Sequence, residues 1–370
     1  MTRRLRVPNG VGLDRLSGVY LWVLFIVVFG IWTPSEFLTV STVHSVASEQ
    51  AATGMVALAV LIPLAGGLYD LSVGATANVT GILVVVMMNN HHWAVVPAVA
   101  LALLVGIAIG LANAFIVVRL QVNSFIATLG MSTILAAVLV IESGDASRTP
   151  PLSSAWNNLT QTTIAGFQVI VLYLIVLALI VWWFMAHTPA GRYLYAIGGN
   201  AEAARLSGVR VNRWSGLALI GSSAVAGLAG VLFTSQGGPS LDFGPALLLP
   251  AFAAAFLGST QLQPGKFNVW GTMLAIYVLA TGVQGLELVS GAAWLSDMFN
   301  GVALIIAVAL SVRRGKPGSA RRWLGGPQRT EPPGAEPTRE GGTAEPAERL
   351  LSGRLGLSEL ADKSRTTERS

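Results

Sequence analysis

Residues 187–213 read HTPAGRYLYAIGGNAEAARLSGVRVNR, a polar stretch with several arginines between two long apolar runs. A segment this polar cannot lie in the hydrocarbon core of a bilayer, so we expect it at a membrane surface, between two spans. Its second half, 200–206, is rich in alanine and follows two glycines, and Asn200 is a favoured residue for capping a helix. A short helix held between two spans can pass motion to a docked partner, which indicates a membrane subunit driven by another protein.

The composition agrees with a membrane protein. Of the 370 residues, 53% are hydrophobic and only 11% are charged, and the mean hydropathy is +0.64, values outside the usual range of soluble domains. Between Leu16 and Val312 the charges fall almost wholly in the breaks between apolar runs, as a bilayer requires. The absence of cysteine excludes disulfides, thiolate metal ligands and thiol catalysis. The histidines lack metal-ligand spacing, so we expect no metal site.

Apolar runs of roughly 20 residues, the length that crosses a bilayer, recur along the chain. They predict an all-α integral membrane protein with about ten transmembrane helices. The runs lie near 16–33, 44–65, 72–90, 93–118, 122–141, 164–186, 214–235, 246–258, 267–287 and 294–312. The run at 246–258 is short, and the glycine-rich stretch at 66–71 either ends a helix or forms a broken, re-entrant region, so the number of spans could differ by one or two.

Basic residues predict the orientation. With the N-terminus in the cytoplasm, Arg148 is the sole basic residue of the outer segments. The inner segments then carry Arg3, Arg4, Arg6, Arg15, Arg119, Arg192, Arg205, Arg210, Arg213, Lys266, Arg313 and Arg314. This asymmetry places both termini and residues 187–213 in the cytoplasm, and it attributes the high pI to orientation rather than to nucleic-acid binding.

Three parts follow along the chain. Residues 1–15 are predicted to be a cytoplasmic N-terminus, and residues 16–312 the transmembrane domain. Residues 313–370 turn rich in Pro, Gly, Glu and Thr, with little to bury, which predicts a disordered cytoplasmic tail.

The stretch at 62–75, IPLAGGLYDLSVGA, interrupts two apolar runs. A proline followed by paired glycines ends a helix, and Asp70 or Ser72 can cap the next one. Two interpretations stay open. The stretch is either a capped cytoplasmic turn or a broken helix whose ends line a pathway through the membrane.

The segment GGLYDLSVGA at 66–75 resembles a signature of bacterial ABC-type sugar importer permeases, the ribose-type or branched-chain permease family. Segments at 110–130, 188–209 and 258–271 resemble further motifs of that family in the same order and spacing, so the resemblance covers roughly residues 15–312. The chain departs from the family in three places. Tyr69 lengthens the first signature, Ser124 replaces a proline, and 258–266 replaces a glycine-paired version, which indicates a divergent subgroup.

The resemblance implies partners and a coupling site. In that family the counterpart of 187–213 contacts a cytoplasmic ATP-binding subunit, which assigns a coupling helix to about Asn200–Gly208; an ordinary positive-inside loop is the alternative. The coupling residues would be Gly191, Arg192, Asn200, Glu202, Ala203, Ala204, Arg205 and Gly208. The family also works as a pair of permeases with an extracytoplasmic substrate-binding protein, which implies a homodimer or heterodimer.

The chain lacks a phosphate-binding loop of its own. The nearest approach is at 258–267, where six residues separate Gly258 from Gly265 and Phe267 follows Lys266. A P-loop needs four residues between the glycines and a Ser or Thr after the lysine. We therefore expect ATP and magnesium to be bound by the partner subunit, with no cofactor and no catalytic residue in this chain.

Polar residues at membrane depth are candidates for a solute path. Glu49 and Gln50 lie about six residues inside the second span, roughly 9 Å below its outer end; an interfacial or structural role for Glu49 stays open. Ser124 and Thr128 share a helical face, which suits a helix–helix hydrogen bond as well as a solute contact. The predicted path residues are Glu49, Gln50, Thr53, Asp70, Ser72, Asn123, Ser124 and Thr128.

Together these patterns predict a multi-pass permease of the bacterial plasma membrane, in contact with lipid. It would import a sugar or a similarly small polar solute by alternating access, driven by separate ATPase subunits. The alternative is a secondary transporter driven by an ion gradient. Such a protein needs ionisable groups at mid-membrane, and Glu49 is the one plausible candidate.

Overall fold

The apolar runs fold as long helices in the computed structural model, which describes residues 16–144, 149–151, 153–292 and 294–314. The predicted N-terminal segment 1–15, Arg148 and the tail from residue 315 lie outside the described residues. In chain order the elements are α1 (Ser17–Trp32), α2 (Pro34–Phe37), α3 (Val40–Ala65), α4 (Val73–Asn90), α5 (Val95–Ala114), a π-helical turn (Phe115–Arg119), α6 (Ser124–Ser143), α7 (Ser154–Asn158), β1 (Thr163–Ile164), β2 (Phe167–Gln168), α8 (Val169–His187), α9 (Pro189–Gly199), α10 (Ala201–Leu206), α11 (Val211–Gly237), α12 (Phe243–Ser259), α13 (Val269–Ser290) and α14 (Trp294–Arg314).

Among the described residues, eight helices are long and apolar enough to cross a membrane. These are α3, α4, α5 with its π-helical turn, α6, α8, α11, α13 and α14. Helices α1 and α12 are apolar but shorter, with 16 and 17 residues. The prediction of an all-α membrane protein is therefore confirmed.

The predicted run at 164–186 begins differently in the structure. Residues 163–168 form a small antiparallel hairpin in which Thr163 pairs with Gln168 and Ile164 with Phe167. The two turn residues Ala165 and Gly166 both have positive φ, as two-residue hairpin turns of the favoured kind require. The helix α8 starts only at Val169, because the hairpin uses the residues that precede it.

The helix α3 forms the centre of the fold. Every residue from Ala51 to Ala65 is buried, and α3 packs against α4, α8, α11, α12 and α13. A helix that is apolar and buried all round belongs inside a bundle rather than at its surface. The helix α14 behaves in the opposite way, since large apolar side chains such as Ile305 and Ile306 are exposed on it.

Small residues set the closest helix contacts. A Cβ added to Gly110 of α5 would lie 2.7 Å from Ile220 Cα of α11. Gly74 of α4 and Gly244 of α12 face each other so closely that a side chain on either would overlap the other's carbonyl oxygen. Helices within membranes commonly approach through such small residues, because dispersion contacts replace the hydrophobic effect there.

The chain between α3 and α4, residues 66–72, is not helical, and we call it the break. Pro63 lies in the last turn of α3, and its carbonyl accepts hydrogen bonds from Gly66 N at 2.9 Å and Leu68 N at 3.0 Å. Gly67 has φ of 74°, a left-handed conformation that glycine adopts without a steric penalty. The predicted interruption of the two runs is thus present, and paired glycines form it.

Candidate functional site

Helices α9 and α10 form the segment in which coupling was predicted, and we call Pro189–Leu206 the coupling segment. Thr188 Oγ1 caps α9 by accepting from Gly191 N at 3.4 Å. Asn200 Oδ1 caps α10 by accepting from Glu202 N at 3.1 Å and Ala203 N at 3.2 Å. The prediction that Asn200 caps a short helix is confirmed.

The helix α10 is buried on one side and exposed on the other. Ala204 is buried, whereas Glu202, Arg205 and Leu206 are exposed. Arg205 Nη2 donates to Glu202 Oε1 at 2.6 Å, and this bond and the charge of Glu202 raise the pKa of the arginine. Leu206 leaves 80% of its surface uncovered. A leucine and a charged pair therefore lie side by side on the exposed face of this short helix.

The other predicted coupling residues lie around this helix. Gly191 is buried in α9, where a Cβ would overlap the backbone of Met185. Arg192 is exposed on α9, and Ala203 is exposed on α10. Gly208, two residues after the coupling segment, has φ of 84°, a conformation that favours glycine after the end of a helix. All of the predicted coupling residues therefore belong to one continuous structure.

The coupling segment rests directly on the break. Gly198 of α9 lies against the end of α3, and a Cβ added there would overlap the carbonyl oxygen of Ala65. From the other side, a Cβ on Gly67 would lie 3.4 Å from Gly198 Cα, and one on Gly66 would lie 3.4 Å from Leu194 Cδ2. Backbone thus meets backbone at this contact, so a displacement of α9 would move the break as well.

A second contact joins α9 to the loop between α12 and α13. Tyr195 Oη donates to the carbonyl of Phe267 at 2.6 Å, and Lys266 Nζ lies 5.9 Å from the centre of the Tyr195 ring. Burial raises the pKa of Tyr195 to about 12, so its hydroxyl keeps the proton that it donates. Asn268 fixes the loop by donating to the carbonyls of Gly258, Gln261 and Lys266.

The break is also attached to α6, through residues that were predicted as path residues. Ser124 Oγ accepts from Tyr69 N at 3.1 Å, and Thr128 Oγ1 accepts from Leu71 N at 3.0 Å. The two side chains therefore do share one face of α6, and their partner is the backbone of the break. Asn123 is exposed and caps α6, accepting from Phe125 N at 2.9 Å.

Asp70 and Ser72 lie inside the break with no exposed surface. Ser72 donates twice to Asp70 Oδ1, from its backbone N at 3.1 Å and from its Oγ at 2.6 Å. Asn113 Nδ2 of α5 donates to Ser72 Oγ at 2.8 Å. Asn113 was missed as a site residue, although a buried amide in an otherwise apolar run was the signal that could have found it.

The remaining predicted path residues lie elsewhere. Three of them, which we call the α3 polar group, lie roughly 20–26 Å from the break along α3, at about 1.5 Å per residue; they are Glu49, Gln50 and Thr53. Glu49 is exposed, Gln50 is half-buried and Thr53 is buried. The structure thus divides the predicted path residues into two groups rather than one.

Two of the histidines pack against aromatic rings. No group of three or more His, Cys, Asp or Glu residues that could hold a metal ion exists within the part of the chain that the structure describes. The ring of His44 lies 4.3 Å from that of Phe167, and the ring of His187 lies 4.8 Å from that of Trp182.

Known proteins resemble the part of the chain that contains the break, the coupling segment and the α3 polar group. The model of a family described as "Branched-chain amino acid transport system / permease component" matches residues 42–308. An autoinducer 2 import system permease protein of Salmonella choleraesuis is 30% identical over 294 residues, which are 79% of this chain and 84% of that protein. The ribose import permease protein of Escherichia coli is 29% identical over 308 residues, 82% of this chain and 94% of that protein.

A third relative is also a transport permease. The D-allose transport system permease protein of Escherichia coli is 27% identical over 298 residues, which are 80% of this chain and 91% of that protein. No solved structure matches the chain.

Proposed function

The chain belongs to the family of branched-chain transport-system permease components and is a permease subunit of an ATP-driven importer, and we propose that its solute is a sugar or a similarly small polar molecule. It is a multi-pass protein of the bacterial plasma membrane. The proposed solute class rests on three relatives whose names state import or transport of ribose, D-allose or autoinducer 2. Family membership favours the importer over a secondary transporter driven by an ion gradient.

The proposed mechanism rests on the position of the coupling segment, which has one side exposed and the other side packed against the break. On one side it exposes Glu202, Arg205 and Leu206. On the other side its Gly198 lies against the backbone of Ala65 and Gly67. We propose that a separate ATP-binding subunit docks on the exposed side, and that its movement reaches the break through Gly198. The chain would then make and break no covalent bond itself.

We propose that ten helices cross the membrane, α1 and α12 included, with both termini and the coupling segment in the cytoplasm. The distribution of basic residues supports this orientation, since Arg192, Arg205, Arg210 and Arg213 all lie in or beside the coupling segment. The α3 polar group then lies in the outer half of the membrane, on the side where a substrate-binding protein would deliver the solute.

The two groups of path residues have different proposed roles. Glu49 and Gln50 reach the surface of the bundle, and an exposed carboxylate at membrane depth requires water or protein rather than lipid beside it. We propose that they face a water-filled path completed by a second permease subunit. The buried residues Asp70, Ser124 and Thr128 would position the helices around that path, because they bond to the break itself.

A co-purification experiment tests the proposed function. The tagged full-length chain is expressed together with its neighbouring genes, extracted in mild detergent and purified, and the proteins that accompany it are identified. We expect an ATP-binding subunit in a stable complex whose ATPase activity rises when a loaded substrate-binding protein is added. A chain that purifies alone and transports in proteoliposomes with an imposed ion gradient would contradict the importer.

A further inference from the structure

The carboxyl group of Asp70 lies in the break with no exposed surface. The groups that act on it are the side chain and backbone N–H of Ser72 and the side chain of Ser222, and no charged side chain of the described residues does so. An ionised carboxylate without a counter-charge is very costly to bury, and such groups are usually neutralised instead. Burial accordingly raises the pKa of Asp70 above its ordinary value of 3.8, while the hydrogen bonds from the serines lower it.

The two oxygens of this carboxyl have different surroundings. Oδ1 accepts two hydrogen bonds from Ser72, whereas Oδ2 has no hydrogen-bond partner among the described residues. Ser222 Oγ, which also acts on this carboxyl, is buried and likewise lacks a partner of good geometry. A proton on Oδ2 would supply the missing donor, because a protonated carboxyl can donate from one oxygen and accept at the other.

The neighbouring elements offer no alternative charge. The side chains that reach this part of the break are Asn113 from α5, Ser124 and Thr128 from α6, and Ser222 from α11, and none of them titrates. The nearest titratable group along the chain is Tyr69, whose pKa burial raises, so it is neutral as well. A neutral carboxyl is therefore consistent with every group that faces it.

This carboxyl lies between two helices, α5 and α11. Ser72 receives a hydrogen bond from Asn113 of α5, and Ser222 belongs to α11. These two helices are in close contact near these residues, where a Cβ on Gly110 would lie 2.7 Å from Ile220 Cα. We propose that Asp70 is held as a neutral carboxylic acid whose Oδ2 hydroxyl donates to Ser222, so that a continuous hydrogen-bond chain joins α5, the break and α11. Asp70 is then a positioning residue.

Infrared spectroscopy of the detergent-solubilised full-length chain tests the protonation state. Asp70→Asn is compared with the wild type at neutral pH, and Asp242→Asn, which removes an exposed carboxyl, is the matched control. We expect the wild type to show the carbonyl stretch of a protonated carboxylic acid, and Asp70→Asn to lose it. The control should keep that band and lose carboxylate absorption instead. Loss of carboxylate absorption in Asp70→Asn would overturn the proposal.

The pH dependence of stability gives an independent test. Folding raises the pKa of Asp70. The contribution of the neutral carboxyl to the free energy of unfolding is therefore fully present below pH 3.8, and it is lost as the pH rises towards the pKa of Asp70 in the folded protein. The thermal midpoint of Asp70→Asn should therefore rise relative to the wild type as the pH increases from 5 to 8. Asn can accept from Ser72 and donate to Ser222 as the neutral acid would, whereas Asp70→Ala cannot and should have a lower midpoint than Asp70→Asn at every pH.

Two outcomes would overturn the proposal in this second test. One is an Asp70→Asn variant that is as unstable as Asp70→Ala, since a required negative charge would explain it. The other is a thermal midpoint that rises when sodium chloride replaces choline chloride in the wild type but not in Asp70→Asn, because a bound cation would then neutralise the carboxylate. Neither measurement depends on the solute or on the partner proteins.

Discussion

The break and the α3 polar group both place polar side chains in an apolar helical bundle, yet they differ in how those groups are satisfied. At the break, Ser72 and the α6 residues Ser124 and Thr128 all have protein partners. In the α3 polar group, Glu49 is exposed. The polar residues at the break are therefore bonded to other parts of the protein, whereas Glu49 of the α3 polar group keeps an exposed surface.

The largest expected effect comes from the exposed side of the coupling segment. The exchange Glu202→Arg with Arg205→Glu preserves an opposite-charge pair on α10 but reverses the charges presented to a docked subunit. We expect uptake to be abolished, because like charges would meet across the docking surface, while the amount of chain in the membrane is unchanged.

The matched control for this exchange is Glu202→Asp with Arg205→Lys, which keeps both charges and should retain uptake. Uptake assays on membranes with equal amounts of each variant provide the measurement. Normal uptake by the charge-reversed variant would show that α10 is not the docking helix.

The contact between the coupling segment and the break gives the next largest effect. Gly198→Ala would place a methyl group against the Ala65 carbonyl, whereas nothing lies within 4 Å of a Cβ on the neighbouring Gly199. The added methyl group would overpack this contact. If the contact carries the coupling, we expect uptake to fall by about five- to 150-fold, the usual range of coupling between two sites. Equal uptake by Gly198→Ala and the control Gly199→Ala would exclude this contact as the route.

The hydrogen bonds that hold the break to α6 can be tested through stability. Thr128→Ala leaves Leu71 N without its acceptor in a buried position, at a cost of about 1–3 kcal/mol. We expect a lower thermal midpoint in detergent, with recovery in Thr128→Ser, which retains the hydroxyl. The control is Thr133→Ala on the same helix, since the exposed Thr133 bonds only weakly to Leu129 O at 3.3 Å. An equal fall in both alanine variants would contradict the special role of Thr128.

The smallest effect is expected at the α3 polar group. Glu49→Gln keeps the shape of the side chain but removes its charge, which weakens a hydrogen bond to a solute hydroxyl by about 0.5–1.5 kcal/mol. The solute concentration for half-maximal uptake should rise about two- to twelvefold, with the expression level unchanged. The exposed Glu36 supplies the control Glu36→Gln. A change in expression alone would assign Glu49 a structural role.

Much of the fold followed from local patterns. Apolar runs predicted the long helices because a bilayer excludes charge, and Asn200 predicted α10 because its side chain can satisfy the free N–H groups at a helix start. The hairpin at 163–168 was missed, because a short apolar stretch before α8 has no periodicity that separates strand from helix.

The candidate site was only partly predictable. Ser124 and Thr128 could be placed on one face of α6 from their spacing, but their partner could not, since it lies more than 50 residues away in the chain. Ser222 could not be linked to Asp70 from the sequence for the same reason, because only the packing of α11 brings them together.

The sequence by itself determined that this chain spans a membrane, which family it belongs to and where a capped, charged helix interrupts its spans, because these depend on composition and on neighbours a few residues apart. Only the tertiary structure decided which polar residues are buried and which are exposed, and that Gly198 touches the end of α3. Those features depend on contacts between distant segments, and helix packing, not local pattern, brings such segments together.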